Sequence, residues 1–165
     1  MTASVRGAGK TYGTVGVEQQ KELTGLQFVQ GLVDGTLPLN TMAGTLGYDV
    51  IEVAPGRVVV AIEPNGQHLN PSGTVHGGLA AILLDSCMGL AIRTTHDRGV
   101  GSTTLEFKIS LLRLIMPSAG LIRAEGVVLT AAAASVPPKD GSRTATDGCS
   151  RMARRRAWFF GSNEP

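Results

Sequence analysis

One carboxylate stands out by its company. Asp85 follows the run Ala80-Ala81-Ile82-Leu83-Leu84 and precedes Cys87, Met88, Leu90, Ala91 and Ile92. Taking a carboxylate out of water costs several kcal/mol unless it is paired or hydrogen-bonded. Two readings follow. Asp85 is a structural group bonded to a neighbouring loop, or it is a general base or nucleophile whose proton affinity the apolar setting tunes. The triplet His76-Gly77-Gly78 opens the same apolar stretch. Two glycines let a ligand come close to the backbone. A helix that starts there offers free N–H groups and the positive end of its dipole, which polarise a carbonyl oxygen. A plain loop-to-helix turn is the alternative.

Geometry connects the two features. Gly77 and Asp85 lie eight residues apart, or about 12 Å along a helix. One substrate carbonyl does not easily reach both in a single chain. A second copy, with its helix alongside, brings its Asp85 to this Gly77. The spacing therefore points to a homodimer with sites at the interface.

These residues need elements to hold them. Residues 76–94 read as a helix that is apolar nearly all round, so burial is expected. Before it, Leu23, Leu26, Val29 and Val33 recur at helical spacing, which predicts an amphipathic helix over Glu18–Val33. Residues 46–54 and 57–63 form a Val- and Ile-rich hairpin about Pro55-Gly56, and 64–75 read as a loop. Strands are expected over Thr103–Leu114 and 121–129, separated by Met116-Pro117-Ser118. The order predicts an α+β fold, with an antiparallel sheet around one long helix. Residues 1–16 read as a flexible leader. Within it, Gly9-Lys10-Thr11 resembles the end of a phosphate loop. Ser4 stands where that loop needs a glycine, and no strand precedes it.

Composition narrows the function class. The 165 residues carry a net charge of +2, with 42% hydrophobic and 17% charged residues. That excludes a fully disordered chain and argues against a nucleic-acid partner. Cys87 and Cys149 make no disulfide framework or zinc spacing, so no metal is expected. No apolar run approaches the ~20 residues of a membrane span, and no signal peptide is evident. A cytoplasmic protein without a membrane partner is the expectation.

The run from Asn70 to Ala91, Asn-Pro-Ser-Gly-Thr-Val-His-Gly-Gly followed by Leu-Ala-Ala-Ile-Leu-Leu-Asp, resembles the signature of hotdog-fold thioesterases. Its branch looks like the PaaI-type acyl-CoA thioesterases. The stretch Thr103-Thr104-Leu-Glu-Phe-Lys-Ile-Ser-Leu-Leu-Arg113, then Pro117, is similar to the strand that follows in that family. The resemblance implies a hotdog fold over 17–130, assembled as homodimers or homotetramers. It implies hydrolysis of an acyl- or arylacetyl-CoA thioester, with CoA as part of the substrate and no cofactor. Gly77 matches the glycine whose N–H polarises the thioester carbonyl. Asp85, from the partner chain, matches the carboxylate that activates water or attacks directly. Asn70 matches a residue that orients water or substrate, and Thr104, with Thr103 beside it, a hydroxyl that assists the water. His76 matches the motif histidine, in a structural or polarising role. Gly78, Thr103 and Arg113 fall on the substrate side. A non-catalytic acyl-CoA binding module is the competing reading, and Asp85 argues against it.

Residues 131–165 depart from the family pattern. Pro137-Pro138, many Ser, Thr and Gly residues and the cluster Arg151, Arg154, Arg155, Arg156 are poor strand material. The family's last two strands are therefore expected to be missing or altered. A reading frame offset by one nucleotide permits a tail with alternating strands about an Asp-Arg-Asp-Gly turn. In that frame the single codons of Met152 and Trp158 force Gly and Val, both consistent with that offset tail. The expectation is a frameshift near residue 130, which makes an inactive gene product a third reading. Resequencing the locus should reveal the displaced frame. An unbroken reading of the present tail, with matching peptides from the native protein, overturns it.

Overall fold

The computed structural model describes residues 9–130 and 154–161. Helices α1 (Val17–Lys21), α2 (Gly25–Asp34) and α3 (Thr41–Leu46) precede a hairpin of β1 (Asp49–Ala54) and β2 (Arg57–Ile62). A 3-10 turn at Gly66–His68 leads to the long helix α4 (Gly77–Arg93), and β3 (Ile122–Thr130) and β4 (Arg154–Gly161) follow. The sheet order is β1-β2-β3-β4, antiparallel throughout. This is the expected α+β arrangement.

The expected helix over Glu18–Val33 is two helices, because Thr24 starts a new one. Its hydroxyl accepts the Gln27 N–H, and the Gln27 side chain accepts the Thr24 N–H. That reciprocal cap satisfies two donors that a continuous helix would satisfy otherwise. Helix α3 was not anticipated. Asn40 caps it by accepting the Ala43 N–H at 2.9 Å.

Strand alternation decides which face meets α4. The pairs Val58↔Gly126, Val60↔Ala124 and Ile62↔Ile122 share one face of β2 and β3. Their side chains are fully buried with Leu79, Leu83, Leu84, Cys87 and Ala91 of α4. Helix and sheet come closest at Gly126, where a Cβ would lie 2.4 Å from the Cys87 carbonyl oxygen. Burial pushes the Cys87 thiol up to about 12, so it stays protonated and packs as a small apolar group. On the opposite face, Glu52 pairs with Arg57 and Arg123, and Arg57 also pairs with Glu125. Hydrogen bonding from Arg123 holds the Glu52 carboxyl below its ordinary range. These stems lie over Val59, which is 1% exposed.

Helix α4 is not buried all round. Ile82, Asp85, Ser86, Gly89 and Leu90 are only half covered. A single sheet covers one side of a helix, so an apolar outer side has to be covered by something else. The expected strand over Thr103–Leu114 is also not formed. Residues 101–112 have no regular structure, and Leu105, Leu112 and Leu114 are exposed. A strand exists by pairing, and the described residues give this segment no partner.

The ends differ from expectation too. Leu39 N–H donates to the Thr11 carbonyl, and Gly13 N–H to the Leu39 carbonyl. Lys10 Nζ lies 2.6 Å from Asp49 Oδ1 in a nearly buried pair. The second half of the expected leader is thus tied to the domain, and the lysine of the phosphate-loop-like triplet is engaged. In the tail, Arg154–Gly161 forms a strand although little strand was expected after residue 130. It pairs along the edge of β3, from Ile122↔Gly161 to Thr130↔Arg154. A sheet edge is a row of unmet donors and acceptors that recruits any extended segment in reach, and Trp158-Phe159-Phe160 has the residue types strands favour. Residues 1–8 lie outside the described residues, as do 131–153 and 162–165, where the rest of the proposed frameshift falls.

Gly126→Ala should force α4 off the sheet. The expected loss is about 1–3 kcal/mol or more, read as a lower urea midpoint at unchanged slope.

Candidate active site

The site starts in the loop before α4. Asn70 organises it, since its Oδ1 accepts the Ser72 and Thr74 N–H groups and its Nδ2 donates to Thr74 Oγ1 at 2.8 Å. Backbone bonds close the loop, Asn70 to Thr74 and His76 to His68, each at 2.8 Å. Val75, buried in the core, donates to the Ile115 carbonyl at 2.9 Å. The loop is therefore fixed to both the core and the pocket wall before the helix begins.

His76 is the N-cap of α4. Its Nδ1 accepts the Gly78 N–H at 2.8 Å, while the rest of the ring is exposed. The Leu79 N–H turns back to the His76 carbonyl. Among the described residues, the Gly77 N–H has no acceptor. The first turn of the helix thus presents one open donor at its positive end. Leu111 closes over it. A Cβ on Gly77 would sit 2.9 Å from Leu111 Cδ1, so the absent side chain is what admits a wall here. Asn70, Thr74, Gly77, Ala80 and Leu111–Ile115 line a cavity of about 330 Å³. Arg113 stands exposed at its rim.

Two turns further on, Asp85 Oδ1 accepts a hydrogen bond from Thr104 Oγ1 at 2.8 Å. Thr104 also lies over Gly89. The segment from Thr104 to Leu111 therefore runs back along the outer side of α4, from Asp85 toward Gly77. Thr103 is exposed, so of the two threonines only Thr104 joins the carboxylate. Asp85 itself is half-buried rather than enclosed. The residues thus form two groups, Asn70, His76, Gly77, Gly78 and Arg113 around the cavity, and Asp85 with Thr104 farther along α4. Among the described residues no cluster of histidine, cysteine or acidic side chains could hold a metal ion, and no helix is long and apolar enough to cross a membrane.

The thioesterase superfamily's sequence profile matches residues 72–133, which take in α4 and the segment over it. Acyl-coenzyme A thioesterase 13 of Homo sapiens is 33% identical over 63 residues, covering 38% of this chain and 44% of that protein. The chain thus spans less than half the length of that curated relative. The solved structure of a phenylacetic acid degradation-related protein from Ralstonia eutropha JMP134 superposes with a TM-score of 0.57 at 27% identity, over 64% of this chain and 80% of that one. A mutant form of the phenylacetic acid degradation protein PaaI from Thermus thermophilus is 31% identical, with a TM-score of 0.50, over 56% of this chain and 76% of that one. The chain belongs to the hotdog-fold thioesterases. A hotdog-fold thioesterase is what the Asn70–Ala91 signature pointed to. The residue that sequence reasoning missed is His68, in the turn two residues before Asn70. Its only signal was a second histidine close to the motif.

His76 acts on the backbone of α4 through Nδ1. His76→Asn keeps an acceptor for the Gly78 N–H and should hold stability, whereas His76→Ala should lose about 1 kcal/mol. Chemical denaturation of the two variants checks this.

Proposed function

We propose that the chain hydrolyses acyl- or arylacetyl-CoA thioesters at a site shared by two copies. The observation that carries the reading is the open Gly77 N–H at the start of α4, on the same rigid helix as the Thr104-bound Asp85. The thioester carbonyl oxygen accepts from the Gly77 N–H of one protomer. Asp85 of the other protomer stands on the far side of the carbonyl carbon. Thr104 occupies Oδ1 of that carboxylate, which leaves Oδ2 to take a proton from water. The water oxygen bonds to the carbonyl carbon, and negative charge builds on the oxygen held at Gly77. The C–S bond then breaks, the thiol leaves with the proton, and the free acid remains. Backbone donors of this kind contribute about 10²–10³ in rate, and a positioned base about 10²–10⁴.

The half-covered side of α4 and the exposed Leu105, Leu112 and Leu114 support a second copy packing there, in a homodimer or a dimer of dimers. Arg113 at the cavity rim suits the phosphates of CoA. Asn70 acts by shaping the loop, and Gly78 by leaving its N–H to His76. The acyl chain lies against Leu111 and its neighbours.

Two variants test the shared site. Asp85→Asn should abolish thiol release from a panel of acyl-CoAs while binding persists. Gly77→Pro removes the one open N–H at the first helical position, where proline is tolerated and His76 is already extended, and its ring pushes the end of the exposed Leu111 side chain aside. Each protein alone should be inactive. Remixed as subunits in equal amounts, they should recover roughly a quarter of wild-type activity, since half the dimers carry one intact site. Silence after verified remixing rules out the shared site. Undiminished hydrolysis by Asp85→Asn rules out the carboxylate.

A further inference from the structure

We infer that His68 is a positioning residue for the Gly77 N–H, an assignment that rests on the function proposed above. His68 is 5% exposed, in the turn before the catalytic loop. Both ring nitrogens are engaged. Nδ1 accepts the Asn65 N–H at 2.9 Å, so the ring proton is on Nε2. Nε2 lies 2.9 Å from the carbonyl of Leu46, the last residue of α3, and donates to it. Carbonyls at a helix end lack an intrahelical partner, so this bond completes α3 as it anchors the loop. The anchor itself is firm. Ala43 of α3 is fully buried, and the Tyr12 ring lies over Gly44.

The backbone of the same residue carries the constraint onward. The His68 carbonyl accepts the His76 N–H at 2.8 Å, and Leu69 and Val75 pair next to it. His68 and His76 are thus the two sides of the loop's neck, and Gly77 is the next residue. The path runs from the α3 carbonyl through the imidazole and across the neck to the first residue of α4. Without the imidazole bond, the neck keeps its internal pairing but loses its attachment to α3. Val75 and α4 then hold the Gly77 N–H without help from α3, and its direction loosens. Small misplacements of a donor cost about 10²-fold in rate.

Two conservative variants separate this role from general stability. His68→Asn places an oxygen near Nδ1, so the Asn65 bond survives and the α3 bond is lost. His68→Gln carries an amide N–H out to the Leu46 carbonyl, so the α3 bond survives. His68→Asn should lower kcat about tenfold or more with KM within twofold, and His68→Gln should stay within about threefold of wild type. Hydrogen exchange of the intact chain gives a second readout. In His68→Asn, peptides covering 69–78 should exchange about tenfold faster while those covering 84–93 hold their protection. Equal kcat and equal exchange in His68→Asn and wild type overturn the assignment. So does an equal loss in both variants with exchange raised uniformly. If the wild-type chain cleaves no acyl-CoA, the function reading falls, and the exchange comparison still decides whether His68 fixes Gly77.

Discussion

A straight helix cannot bring its own first residue to its own middle. Helix α4 carries the open Gly77 N–H and the Thr104-bound Asp85 on one rod, and a rise of about 1.5 Å per residue sets their separation. Everything around α4 serves to hold that rod still. The sheet comes so close at Gly126 that only a glycine fits, and the protonated Cys87 fills the interior beside it. The outer side of the rod is left half covered, and the chain from Thr104 to Leu111 lies along it. One side of α4 packs on the sheet and the other carries Asp85, so a single aspartate placed on the outer side does not disturb the core.

The start of the rod is controlled by capping. A helix has several unmet N–H groups at its beginning, and the function proposed above needs one of them free. His76 takes the second, the His76 carbonyl takes the third, and the first is left over the cavity. Asn70 shapes the loop before that first residue, and His68 ties the neck of the loop to α3. Polar side chains near the site therefore act mostly on the backbone.

Much of this was legible in the sequence because the strongest signals are local. The Val- and Ile-rich hairpin and the His-Gly-Gly helix start all depend on neighbours within a few residues, and the Asn70–Ala91 run carried the family. Other features depended on contacts no window contains. His68 meets a carbonyl 22 residues away, whereas the break at Thr24 is itself a local signal, carried by Gln27 three residues on. Thr103–Leu114 has strand-like residues, yet a strand also needs a neighbour, and among the described residues it has none. Arg154–Gly161 opens on three arginines and still forms a strand because β3 offers an edge. Local preference failed in opposite directions at these two segments, for the same reason.

The exposed leucines along 105–114 also bear on how the protein is made. Were two copies to pair there, as proposed above, each newly folded chain would first carry this apolar strip into solution. Pairing is then a second-order event, slow when few chains are present, while chaperones and other unfolded chains compete for the same strip. The yield of such a dimer would be set by the rate of encounter as well as by the stability of each chain. Slower synthesis at lower temperature shifts that competition, because the hydrophobic attraction behind misassociation weakens on cooling.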